Sequence, residues 1–172
     1  AIIQPRAQFT YVGGNDRTAD IPNRDAAEYR IDEANLFLTH RYQGKDYILP
    51  GTRADLGIAA AANDNTFGNV AGFVGISRRL SGKPSAGLNT NQDDTYSDYV
   101  ASLAMTPLGL FDIRWSGRMS SHDFKLNEAK TQATTSYGSG NVSLTHSQLT
   151  KAYFASGDDD REEFSSTLNQ TI

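Results

Sequence analysis

The sequence has no cysteine, so it offers neither a disulfide framework nor a thiolate metal site, and it leaves the redox compartment open. It also lacks any apolar run near the roughly 20 residues that a membrane-crossing helix needs. That excludes helical spans but leaves barrel strands of about 9–11 residues available. A basic surplus is missing too: 16 Lys and Arg face 20 Asp and Glu, for a net charge of -4 and a pI near 5.3. Nucleic acid is therefore not an expected partner, because its recognition needs a basic footprint. There is no initiator Met and no basic-then-apolar leader. The chain opens Ala1-Ile2-Ile3-Gln4-Pro5-Arg6, as expected of an internal piece of a longer protein.

What is present is an unusual mixture. Only 38% of the 172 residues are hydrophobic, yet aromatics reach 10%, with 8 Tyr and 8 Phe against 1 Trp; the mean hydropathy is -0.51. Disordered chains are poor in aromatic and β-branched residues, so this chain is expected to bury thin apolar stripes without a thick oily centre. A barrel with a hydrated lumen does so, because only every second residue has to be apolar.

Period-2 alternation supports that reading. Phe111, Ile113, Trp115, Gly117 and Met119 interleave with Asp112, Arg114, Ser116 and Arg118, the pattern of a strand between two different environments. Before it, Tyr99, Ala101, Leu103 and Met105 alternate with Asp98, Val100, Ser102 and Ala104, and only Thr106-Pro107-Leu108-Gly109 separates the runs. That spacing predicts a hairpin. A second hairpin is expected where Ala129, Thr131, Ala133, Thr135 and Tyr137 turn through Gly138-Ser139-Gly140 into Val142, Leu144 and His146. A third joins Ala54, Leu56, Ile58 and Ala60 to Val70, Gly72, Val74 and Ile76 through Asn63-Asp64-Asn65. An outer pair of strands carries Ala7, Phe9 and Tyr11 near one end of the chain and Phe164, Ser166, Leu168 and Ile172 near the other.

Connection lengths alternate as well: 13–50 is long, 62–66 short, 81–95 long, 106–109 short, 119–123 intermediate, 137–140 short and 155–162 long. One rim thus has tight turns and the other has loops, as in outer-membrane barrels with short periplasmic turns and longer extracellular loops. The stretch Asn35-Leu36-Phe37-Leu38-Thr39-His40-Arg41-Tyr42 is strand-like, but a full span there would break the parity. It is assigned to the long connection, folded back towards the lumen or the rim. The expected fold is all-β: an antiparallel, up-and-down transmembrane barrel fragment of about eight meandering strands in an open, curved sheet, with residues 1–172 as part of a single barrel domain.

The segment Ile21 to Asp46 carries Pro22, Asn23 and Asp25, then Asp32 and Glu33, then Asn35-Leu36-Phe37, then Arg41, Gly44 and Asp46. In order and spacing this block resembles the lipopolysaccharide-assembly barrel family LptD (OstA/Imp). A second block, Ser97-Asp98-Tyr99-Val100 through Thr106-Pro107 to Asn127-Glu128, is similar to that family's successive strands around a Pro-containing periplasmic turn. The resemblance implies transport of lipopolysaccharide to the outer leaflet of a Gram-negative outer membrane. It also implies a periplasmic bridge and an LptE-like plug lipoprotein as partners. On this reading the chain is wall and loops from the middle of such a barrel, without the N-terminal periplasmic domain or the first and last barrel strands, and it needs no cofactor.

Two sets of residues follow. Arg53, Asp55, Asp112, Arg114, Arg118, Glu128 and Lys130 form a polar lumen wall that contacts saccharide or plug, or more blandly fixes register by cross-strand pairing. Phe9, Tyr11, Tyr99, Phe111, Ile113, Trp115 and Tyr137 face lipid; in a soluble sandwich they would instead be core. Ser121-His122-Asp123 contains the side-chain types of a hydrolytic triad, but neighbours in a tight loop seldom reach triad geometry, so no catalytic residue is expected. His40 and His146 stand alone, without a metal-ligand pattern. The acidic run Asp158 to Glu163 lacks the spacing of a calcium loop and reads as a solvated tip. The competing functions are a passive porin-like channel, a soluble ligand-binding β-barrel and an outer-membrane enzyme.

Overall fold

The computed structural model describes residues 1–14, 31–39, 41, 50–65, 68–82, 95–150 and 160–170. Eight strands make one sheet: β1 (Ile2–Val12), β2 (Gly51–Asp64), β3 (Gly68–Gly82), β4 (Tyr99–Met105), β5 (Phe111–Met119), β6 (Leu126–Tyr137), β7 (Gly140–Leu149) and β8 (Arg161–Gln170). They lie in chain order, each antiparallel to the next. The sheet is open, because β1 and β8 are not paired with each other. The one helical element among the described residues is a 3-10 turn at Pro107–Gly109.

In such a meander every odd connection falls at one rim and every even one at the other. The even ones are tight: β6 and β7 are separated only by Gly138 and Ser139, with Gly138 at φ 50°. That left-handed conformation is what two-residue hairpin turns require of a residue without a Cβ. The β5–β6 connection is displaced by a few residues from its expected place, since β5 runs to Met119 and β6 begins at Leu126. The parity of long and short connections holds.

Register sorts the side chains. The pairs Leu103↔Trp115, Met105↔Ile113 and Trp115↔Thr131 place the odd-numbered residues of β5 on an apolar face. Phe9, Leu56, Ile58, Val74, Leu103, Phe111, Leu144, Phe164 and Leu168 all remain exposed there. An exposed apolar area this continuous marks a surface that meets something other than water. Arg6↔Gly57, Asp55↔Ser77, Ser102↔Ser116, Arg118↔Glu128 and Thr145↔Ser165 run across the opposite, polar face. The small buried core lies on that polar side: Ile31, Leu36, Phe73 and Val100, with Phe37 and Ala59 packed against it.

Candidate functional site

The site begins with two glycines. Gly57 of β2 and Gly75 of β3 are cross-strand partners on the polar face, and together they leave a notch in an otherwise side-chain-covered wall. A Cβ on Gly57 would come within 2.7 Å of the Phe73 ring and 3.1 Å of the Phe37 ring; one on Gly75 would overlap the Leu36 methyl and lie 2.8 Å from Phe73. Glycine within a strand often marks such a close approach. Leu36 and Phe37 fill the notch, with Leu36 fully buried and Phe37 edge-on to Phe73 at 6.3 Å.

The inserted segment is a turn rather than a strand. The Asp32 amide donates to Asn35 Oδ1 at 2.8 Å and the Asn35 amide donates back to Asp32 Oδ1 at 2.9 Å, while the Leu36 amide reaches the Asp32 carbonyl at 2.9 Å. Short polar side chains bond their own backbone in this way and so compete with strand formation. Glu33, at the tip of the turn, accepts a hydrogen bond from Ser102 of β4.

An ionic cluster holds the segment against the wall. Arg41 donates to Asp55 Oδ1 at 2.6 Å, to the Leu36 carbonyl at 2.6 Å and to Ser77 Oγ at 2.9 Å. Asp55, completely shielded from solvent, also accepts from Ser77 Oγ at 2.5 Å and from Arg53 Nε at 3.1 Å. Arg53 in turn donates to the carbonyls of Leu38 and Thr39. A guanidinium fork can serve several oxygens at once, as a lysine cannot. Removing one partner from so buried a pair costs about 3–5 kcal/mol.

The cluster continues sideways near the long-connection rim. Ser97 Oγ accepts from the Ser77 amide at 2.9 Å and donates to the Asp98 carbonyl at 2.8 Å. The Asp98 carboxylate accepts from Asn127 Nδ2 at 2.9 Å and lies 3.8 Å from Arg118, which is also 3.8 Å from Glu128. Asn127 is the extra residue of a bulge, since Arg118 pairs with Glu128 but Met119 pairs with Leu126. A bulge re-aims one side chain out of the alternation. Here it points a buried amide at Asp98.

All seven residues expected on a polar wall share the polar face, but they divide into two kinds. Asp55 and Arg118 are buried in the cluster, with Arg53 and Glu128 at its edges. Asp112 and Arg114, 2.8 Å apart, and Lys130 are solvent-accessible and lie outside it. Phe9, Tyr11, Tyr99, Phe111, Ile113, Trp115 and Tyr137 share the apolar face. Of the motif block, Asp32, Asn35, Leu36, Phe37 and Arg41 converge on the notch; Pro22, Asn23, Asp25, Gly44 and Asp46 lie outside the described residues.

From the sequence, Ser97, Asp98 and Asn127 belonged to the second motif block without any assigned role, and Ser77 and the pairing of the notch glycines were not singled out. The glycines carried a signal of their own, as small residues interrupting the strand pattern. Around Ser121-His122-Asp123 the loop is built differently from a triad. Ser120 Oγ accepts from the His122 and Asp123 amides at 3.2 and 3.4 Å, and the Asp123 carboxylate is paired with Lys125 Nζ at 2.8 Å. The hydrogen bond from Lys125, helped by Ser120, lowers the Asp123 pKa to about 2.

In comparison with known proteins, a family model described as LptD, LPS transport system D, matches residues 1–171. No curated protein matches the chain.

Proposed function

The chain belongs to the LptD family of outer-membrane lipopolysaccharide-transport proteins, and from that premise we propose that it forms a sector of the barrel wall through which lipopolysaccharide is assembled into the outer leaflet. One observation carries the reading: the sheet has one exposed apolar face and one polar face, with a motif segment of the same chain seated on the polar one. The apolar face meets lipid. The polar face lines a hydrated lumen, where charges escape the roughly 2–4 kcal/mol that Arg or Lys costs at the lipid midplane.

Within that lumen the two kinds of polar residue do different work. The cluster of Arg41, Arg53, Asp55, Asp98, Arg118 and Glu128 is structural, since its charges lie in ion-pair range of one another. Asp112, Arg114 and Lys130 keep accessible polar atoms and are the wall residues that touch cargo phosphate or sugar. Charge-assisted hydrogen bonds suit both groups. The role is non-enzymatic, with Asp123 held by Lys125 rather than orienting a base. An LptE-like plug lipoprotein and a periplasmic bridge complete the pathway.

The test is site-specific cysteine labelling along 111–119 in the full-length protein, inserted in outer-membrane vesicles, with a lipid-soluble and a water-soluble probe. Positions 111, 113 and 115 are expected to label from lipid and positions 112, 114 and 118 from water, with 118 slowest because Arg118 is buried. Shielding of the odd positions from both probes would mean a protein core and would overturn the placement.

A further inference from the structure

The apolar face carries one exception to its character. On the strands described, Arg78 is the one Lys or Arg that register places there, since its cross-strand partner Ala54 lies beside Leu56 and Ile58 on the same stripe. It sits near the end of β3 that leads into the long β3–β4 connection. Its guanidinium lies over the Tyr96 ring, 5.1 Å from the centroid. Tyr96 is also its partner across an isolated bridge, which fixes the two backbones together. Among the described residues the Arg78 guanidinium makes no hydrogen bond or ion pair, and the residue is exposed. Three residues beyond Tyr96, Tyr99 stacks on Phe124 at 5.6 Å and 14°. Phe124 holds this position at φ 57°, a conformation that non-glycine residues rarely adopt.

A cation on a lipid-facing wall is tolerated near the interface, where its cost falls to about 0–1 kcal/mol, and aromatic residues gather at the same depth. Stacking on Tyr96 covers one face of the guanidinium and leaves its N–H edge as a set of unused donors. Those donors match a phosphate in geometry and charge. The flat Tyr99–Phe124 pair supplies apolar surface on the same side.

We propose that Arg78, backed by Tyr96, is an outer-wall docking point for the phosphate headgroup of a lipid in the leaflet next to the long connections, with Tyr99 and Phe124 against its apolar shoulder. This rests on the membrane placement proposed above. It assigns a lipid contact outside the barrel, separate from any cargo path within it.

The experiment uses the full-length protein in nanodiscs of neutral phosphatidylcholine, doped with lipid A or with lipid A stripped of its phosphates, and counts retained lipid by native mass spectrometry. Retention of the phosphorylated lipid is expected to fall roughly ten- to a hundredfold in Arg78→Gln, the range for losing a charged hydrogen bond. It should fall less in Tyr96→Leu. Equal retention of the two lipids, unchanged retention in Arg78→Gln, or displacement by millimolar inorganic phosphate would overturn the assignment, the last by showing a free-anion site. Cysteines at Val74 and Leu103 in the same nanodiscs report the placement separately. If they label from lipid while Arg78→Gln binds normally, only the docking point fails; if they do not label from lipid, the placement fails and the docking point with it.

Discussion

Replacing Asp55 by alanine removes the one group that accepts from Arg41, Arg53 and Ser77 together. Arg41 has only 7% of its side chain exposed, so water does not replace the lost carboxylate, and breaking so buried a pair costs about 3–5 kcal/mol. The segment can avoid that cost by leaving the notch. Leaving exposes Leu36, whose burial contributes about 1.5–3 kcal/mol, so the docked state is weakened without the strands being disturbed. At about 1.4 kcal/mol per decade, docking should weaken by roughly two to three and a half orders of magnitude. Hydrogen exchange in the full-length protein reads this directly. The amides of Leu36 and Leu38, which donate at 2.9 Å to Asp32 and 3.0 Å to Asn35, should lose protection by that factor, while those of β5 and β6 keep theirs. Arg41→Lys should fall between the two, since a single ammonium cannot reach Asp55, Ser77 and the Leu36 carbonyl at once. Unchanged exchange at Leu36 in Asp55→Ala would refute the idea that the ionic cluster holds the segment.

Further outcomes follow from the same geometry. Gly75→Val should displace Leu36 and Phe73 and lower the melting temperature of the full-length protein, whereas Gly72→Val, whose added Cβ meets nothing closer than 3.5 Å, should not. Arg114→Ala should leave the melting temperature within a degree or two, since exposed pairs contribute about 0–1 kcal/mol, while photocrosslinking of lipopolysaccharide from position 114 or 130 should exceed that from position 55. The Asp123 carboxyl should titrate near pH 2 by carbon NMR. Its folded pKa lies below the ordinary aspartate value of 3.8, so the bond to Lys125 is fully present above pH 3.8 and is lost as pH falls through about 2. Lys125→Ala should return the midpoint towards 4.

The two-faced sheet was legible in the sequence because alternation is a local code. Phe111 to Met119 announces its faces without reference to any other strand, and Gly138-Ser139 announces its turn. The docked segment was only half legible. Asn35-Leu36-Phe37 has strand-like composition, and what bends it is the reciprocal bonding of Asp32 and Asn35, which has no periodic signature. Its seat was less legible still, because Gly57 and Gly75 are eighteen positions apart in sequence and meet only through the β2–β3 register. Asn127 could not be placed at all from the pattern, since a bulge is by definition a departure from it. The charges of the polar wall were visible as a set. Their division into a sealed cluster and an accessible group depends on which of them the segment and the bulge cover.

The notch also answers a difficulty that alternation alone leaves open. A two-residue slide of β3 along β2 would keep every apolar side chain on the apolar face, so the pattern cannot tell the true alignment from its neighbours. Gly57 opposite Gly75 and Asp55 opposite Ser77 work as an index mark, because only one alignment both opens the recess and closes the ionic lock. A chain assembling such a ribbon therefore receives its length code from the turns and its origin from a single graduation, read by a segment that is otherwise no part of the scale.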